Sequence, residues 1–241
     1  MQTTNIRHSI YLHRLQKLIV LLALWVVSAS SLKAQMNVLE HYNRRFYFGI
    51  TLAYNTSVFK VQQSQQFVSS DSILNIQSGY GPGFNLGIIS NMKLSEHFDL
   101  RFIPALVFGD RNLLFTESNG ETITKKTESI YTEFPILIRY KSQPWKDMKV
   151  YVLTGMKYNL DLSSNSKTRN AEGEIKIKRG DFHYEYGLGL QFFFPLFIFS
   201  PEVKFSHGLR NIHIPDQSLI YSNMLNKLQI RTITISLHFE G

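Results

Sequence analysis

From Phe46 onward the chain repeats one pattern about eight times: apolar and polar residues alternate with a period of two. The alternating stretches are 46–55, 83–92, 98–108, 130–140, 149–160, 182–193, 199–208 and 232–239. In the first, Phe46, Phe48, Ile50, Leu52 and Tyr54 oppose Tyr47, Gly49, Thr51, Ala53 and Asn55. In the last, Ile233, Ile235, Leu237 and Phe239 oppose Thr232, Thr234, Ser236 and His238. Successive side chains of a strand point to opposite faces, so each stretch predicts a strand with one apolar and one polar face. The connections alternate in length. Long polar segments at 60–79, 112–127, 163–180 and 211–226 follow strands one, three, five and seven. The other three are short: "SEH", "SQPWKD" and "PL". Within the second long segment, Asn119-Gly120 between alternating residues predicts a two-residue hairpin on strands that outrun the rest.

Residues 131–141, "YTEFPILIRYK", decide which face meets which medium. Glu133 and Arg139 share one parity; Phe134, Ile136 and Ile138 hold the other. The same rule puts Asp99, Arg101, Glu133, Arg139, Lys157, Glu185, Glu202 and Lys204 on one side, four acids and four bases, together with glycines such as Gly49, Gly87 and Gly187. Small residues and balanced charges suit a narrow interior. An eight-stranded barrel has a lumen just wide enough for its side chains to fill. An Arg facing lipid at mid-bilayer costs about 2–4 kcal/mol, so a one-residue slip of register is strongly disfavoured. A soluble ligand-binding barrel would show the reverse pattern, apolar inside and polar outside. The expected fold is therefore all-β: an eight-stranded antiparallel up-and-down transmembrane β-barrel with a filled interior. Only a closed sheet satisfies its edges in lipid. Four long loops at one end and three tight turns at the other match the layout of a bacterial outer-membrane barrel, with both termini on the periplasmic, short-turn side.

The first 34 residues read differently. Arg7, Arg14 and Lys17 precede the apolar run "LIVLLALWVV", and "SASSLKA" follows: the order of a secretory signal peptide. The organisation expected is 1–34 signal peptide, 35–45 periplasmic segment and 46–241 barrel. The 241-residue chain carries 26 Lys and Arg against 18 Asp and Glu, a net +8. Four of those cations lie in residues 1–34, so the balance beyond them is 22 − 18 = +4. That balance, with no basic run interleaved with aromatics, points away from nucleic acid. With no cysteine, neither a disulfide nor a thiolate metal site is possible.

Chemical motifs are sparse. "GYGPGFNLG" at 79–87 is glycine-rich, but no helix follows it to cradle a phosphate. His183 and Glu185 share a face and lack an evident third metal ligand; a hydrogen-bonded interior pair is expected. Glu202, Ser206 and His207 lie close in sequence, but parity sends His207 to the opposite face and argues against a nucleophile–base contact. No catalytic residue, cofactor, metal or small-molecule substrate is expected, and the partner common to any such barrel is outer-membrane lipid. The run "FFFPLFIF" at 192–199 places Phe193, Phe194, Pro195, Leu196 and Phe197 at a short turn. Trp145 lies on another. They predict either an aromatic girdle or a docking patch for a partner protein.

"FYFGITLAYNTSVFKV" at 46–61, "TEFPILIRYK" at 132–141, "EYGLGLQ" at 185–191 and "PEVKFSHGLRN" at 201–211 resemble the PorT group of small outer-membrane barrels of Bacteroidetes. The resemblance runs over nearly the whole chain after the signal. It implies a non-enzymatic component of the type IX secretion system, which exports proteases and adhesins, with other secretion-system proteins as partners. Two other classes fit a bare barrel: a surface adhesin or structural barrel using its long loops, and a lipid-modifying enzyme.

Overall fold

The computed structural model describes residues 44–68, 73–118, 120–162, 177–216 and 220–241. The expected signal peptide, most of the 35–45 segment, Asn119, residues 163–176 of the 163–180 connection, 69–72 of the 60–79 connection and 217–219 of the 211–226 connection lie outside the described residues.

Ten strands form one antiparallel sheet that closes on itself. They are β1 (Phe46–Gln63), β2 (Ile73–Gly79), β3 (Gly81–Lys93), β4 (Phe98–Phe102), β5 (Ala105–Glu117), β6 (Thr122–Lys141), β7 (Met148–Asp161), β8 (Gly180–Phe193), β9 (Ile198–Gly208) and β10 (Leu225–Glu240). Among the described residues two four-residue helices, α1 (Gln65–Val68) and α2 (Ile220–Asn223), sit in the long connections. The ring itself has eight strands. β4 and β5 are one strand interrupted at Pro104: Phe102 faces Ile136 and Ala105 faces Glu133 in the same register along β6. Proline has no N–H for the ladder, so the break is local and the parity continues across it. β2 and β3 are likewise nearly continuous, with a one-residue slip at Tyr80 in their pairing to β5. The ring closes where β1 pairs with β10 on one side and β3 on the other.

The exposed large hydrophobics follow the outward parity without exception along β1 from Phe46 to Tyr54 and along β10 from Ile233 to Phe239. Aromatics gather in two belts, as the rings of barrel proteins do at the two interfaces. At the short-turn end Phe98 packs on Tyr140, and Phe192, Phe199 and Phe239 are in contact. Toward the long-loop end Phe84 stacks on Phe108 and Tyr158 meets Phe182. Aliphatic side chains such as Ile50, Leu86, Ile136, Val152 and Ile235 fill the band between.

Two strands reach further beyond the hydrocarbon than the outward apolar residues show. Where 60–79 reads as a polar loop, β1 runs on to Gln63 and β2 begins at Ile73. Where 211–226 reads as a loop before a strand from Thr232, β10 starts at Leu225. In both extensions the alternation survives but its sense flips. Phe59, Leu228 and Ile230 point inward and are buried, while Lys60 and Arg231 are exposed. Above the hydrocarbon the outside is polar, first headgroups and then water, so a strand turns its apolar face to the interior. The hairpin at Gly120 (φ +84°) joins β5 to β6, and β2 pairs along β5 to make a three-stranded extension. Only a residue tolerant of the left-handed region fits there.

Candidate functional site

The lumen is packed in layers, each built from the inward-facing residues of several strands. Nearest the short turns lies a polar network. Arg101 donates to both carboxylate oxygens of Glu240, at 2.7 and 2.6 Å, and to Asn91 at 3.1 Å. Arg139 donates to Asp99 and to the Tyr47 hydroxyl, each at 2.6 Å, and Lys141 holds the other Asp99 oxygen at 2.7 Å. Tyr151 donates to Glu202 at 2.8 Å, and its ring faces the Arg139 guanidinium at 4.8 Å. Glu202 also meets His238 at 3.3 Å and Lys204 at 3.7 Å. Paired, multiply hydrogen-bonded charges are the form in which a low-dielectric interior tolerates ions.

Ile89, Ile103, Leu137 and Leu153 form a thin apolar layer with Tyr151. A second network lies beyond it. Lys157 bridges Glu133 at 2.8 Å and Glu185 at 3.1 Å, and Ser206 donates to Glu185 at 2.5 Å. Asn85 links Glu133 to Asn55. His183 contacts Asn159 at 3.1 Å and Asp181 at 3.0 Å, and Arg111 lies on the Tyr131 ring near Asp161. An apolar cap of Phe59, Ile73, Ile76, Leu113, Phe115, Ile177, Ile212, Met224, Leu225, Leu228 and Ile230 closes the long-loop end.

All eight charges assigned inward by parity are buried. Glu133 and Arg139, six residues apart, do not pair with each other: Arg139 takes Asp99, and Glu133 takes Lys157. The structure adds Arg111, Lys141, Lys149, Asp161, Asp181 and Glu240 to the buried charges. Among the described residues the buried charges therefore number seven acids and seven bases. Glu240 carries the polar parity of the last strand and is legible once that strand is extended by one residue. Lys141 and Lys149 share the polar parity of their strands at the turn.

Ser206 faces inward to Glu185, while His207 faces outward, 3.2 Å from the Tyr186 hydroxyl, so the two are not a nucleophile and base. Glu185 belongs to Lys157 rather than to His183. Among the described residues no group of three or more His, Cys, Asp or Glu is placed to hold a metal. In the candidate patch, Phe193 is a correction. It is 7% exposed and turns into the lumen beside Lys149, because position 193 has the inward parity of β8. Trp145, Phe194, Leu196 and Phe197 are exposed. Pro195 is exposed beside them at the tip of the turn. A backbone bond from Phe193 N–H to the Asp147 carbonyl, 2.9 Å, sets the two turns side by side. Inside that rim, Arg44, Tyr47, Lys93, Lys141, Lys149 and Gln191 line a shallow mouth of about 10 Å³. A second cavity of about 20 Å³ lies under the cap, beside Arg111, Asp161 and Asp181. Each has room for about one water.

A closed ring of eight antiparallel strands, apolar outside and ionic within, defines a transmembrane β-barrel. Residues 31–213 match the family model described as outer membrane protein beta-barrel domain. The chain belongs to that family and resides in the outer membrane. No curated protein matches it. Among solved structures it is similar to Ail of Yersinia pestis, at 14% identity over 82% of this chain and 100% of that one (TM-score 0.36). It is also similar to OprG of Pseudomonas aeruginosa, at 11% over 81% and 93% (TM-score 0.45). A third is the outer membrane protease OmpT of Escherichia coli, at 8% over 81% and 95% (TM-score 0.37). At these values the likenesses are loose, and the fold rests on the ring of strands and the family match.

Proposed function

We propose that this barrel is a non-enzymatic component of a protein secretion machinery, working through its periplasm-facing, short-turn end. This is the role that its PorT-like segments imply for type IX secretion. One contrast supports the reading: the lumen is filled by paired charges, while the rim of the short turns leaves large apolar side chains uncovered. Trp145 and Leu196 are each 67% exposed, and Phe194 and Phe197 stand beside them. They lie in the turns, past the belt formed by Phe98, Tyr140, Phe199 and Phe239, where contiguous apolar surface marks a protein contact. A non-catalytic role fits the engagement of Ser206 by Glu185 and the outward direction of His207.

The test replaces Trp145, Leu196 and Phe197 with Ser in cells that export cargo by this route. Cargo should accumulate in the periplasm while the barrel stays at normal abundance. Undiminished export at normal abundance would refute the docking role. The three-stranded extension of β2, β5 and β6 favours a second reading, attachment through the surface loops. On that reading, trimming the hairpin at residues 117–122 weakens attachment and leaves export intact.

A further inference from the structure

We infer that the outer wall of β8, β9, β10 and β1 carries a binding site for the phosphate of an outer-leaflet glycolipid headgroup. The outward positions of these four strands carry no carboxylate from Phe46 to Gln62, Phe182 to Phe192, Phe199 to Leu209 and Lys227 to Phe239. The cations on this wall appear only where the hydrocarbon band stops. On β10, Arg231 is the first outward residue past Ile233; on β1, Lys60 is the first past Val58. On β9 the polar imidazole of His207 stands at the same height, next past Phe205. Lys227 stands two outward positions beyond Arg231.

Register brings these side chains together. Arg231 lies directly between Val58 and His207 in one cross-strand row, and Tyr184 continues that row on β8. Lys60 faces Gln229, one outward step from Arg231. Lys60 and Arg231 are diagonal neighbours, about 7–8 Å apart at the backbone, and both side chains are long, so a single phosphate between them can reach the guanidinium and the ammonium together. The Tyr186 hydroxyl, 3.2 Å from His207 Nε2, adds a further polar atom at the lower edge. Lys60 and Arg231 are exposed, so they are open to the headgroup layer.

The ligand class follows from position. Aliphatic and aromatic side chains immediately below these cations meet acyl chains, and with the long loops outward the layer at this height is the outer-leaflet headgroup. An anion held there needs both acyl chains and a phosphate, and clustered Lys and Arg at a membrane surface recognise such headgroups. The inference rests on the membrane location and orientation, and is independent of the secretion role.

The test uses the purified barrel, extracted in mild detergent and exposed to defined lipids before native mass spectrometry. The probes are bisphosphorylated lipid A, the same lipid after phosphatase treatment, and phosphatidylglycerol. Wild-type barrel should retain the phosphorylated lipid A, and phosphatase treatment should lower retention about tenfold, with phosphatidylglycerol also weaker. Lys60→Gln combined with Arg231→Gln should produce the same loss while heat-modifiable gel mobility still reports a folded barrel. Arg45→Gln, at the opposite end, should change nothing. The phosphatase arm needs no altered protein, so a folding defect in the variant cannot mask the answer. Equal retention of the dephosphorylated lipid or of phosphatidylglycerol would overturn the assignment. So would undiminished retention by the folded double variant.

Discussion

Arg101 is completely buried and leans on Glu240, which is 1% exposed. Removing one member leaves the other charged in a closed lumen, a loss of about 3–5 kcal/mol. Arg101→Met should therefore lower the urea midpoint of the barrel in lipid vesicles far more than the double change Arg101→Met with Glu240→Met, in which no orphan carboxylate remains. A double-mutant cycle reads the difference directly. Gly189 makes a second test. A Cβ there would stand 2.4 Å from the Tyr151 ring and 2.9 Å from the Pro201 carbonyl. Gly189→Ala should push Tyr151 off Glu202 and cost about 1–3 kcal/mol in the same measurement, because a packed lumen has little room to yield. The inward direction of the eight charges is legible in parity alone, since a period of two needs no knowledge of neighbours. Their partners are not. Arg139 meets Asp99 across directly paired strands, whereas Arg101 reaches Glu240 on a strand 139 residues away in sequence. That choice depends on the stagger of the closed ring.

Along each strand, the change of medium governs both what was readable and what was not. Inside the bilayer, outward apolar residues announce a strand. Past the hydrocarbon the same period persists with its polarity inverted: Phe59 and Leu228 turn in, and Lys60 and Arg231 turn out. A reading keyed to outward apolar residues ends β1 and begins β10 too close to the membrane. The apolar cap is the structural product of that inversion. Phe115 is fully buried in it. Phe115→Ala should cost about 3–5 kcal/mol locally and open the long-loop end to protease, while the strands within the bilayer remain protected. The cap also borders a titratable group. His213, in the β9–β10 connection, is buried with Ser222 at 2.9 Å, and burial, with a smaller contribution from Lys178, holds its imidazole below the ordinary range. The opened loop thus binds a proton more readily than the closed one. Closure is fully supported above about pH 6.5 and weakens as pH falls from there toward the lowered value. Hydrogen exchange of residues 211–216 should be faster at pH 5 than at pH 7.5, and His213→Asn should abolish that dependence.

For the whole molecule, the two ends and the middle differ in make-up. The middle is a rod of alternating polar and apolar layers in which seven acids and seven bases balance among the described residues. The long-loop end is capped, and the short-turn end presents an apolar rim around a basic mouth. A lumen so filled should block passage along the axis. The most direct measurement is conductance across a planar bilayer holding the folded, purified barrel. The layered lumen predicts a baseline that stays closed over the range of voltages that opens porins. A steady ohmic current from the folded protein would contradict it.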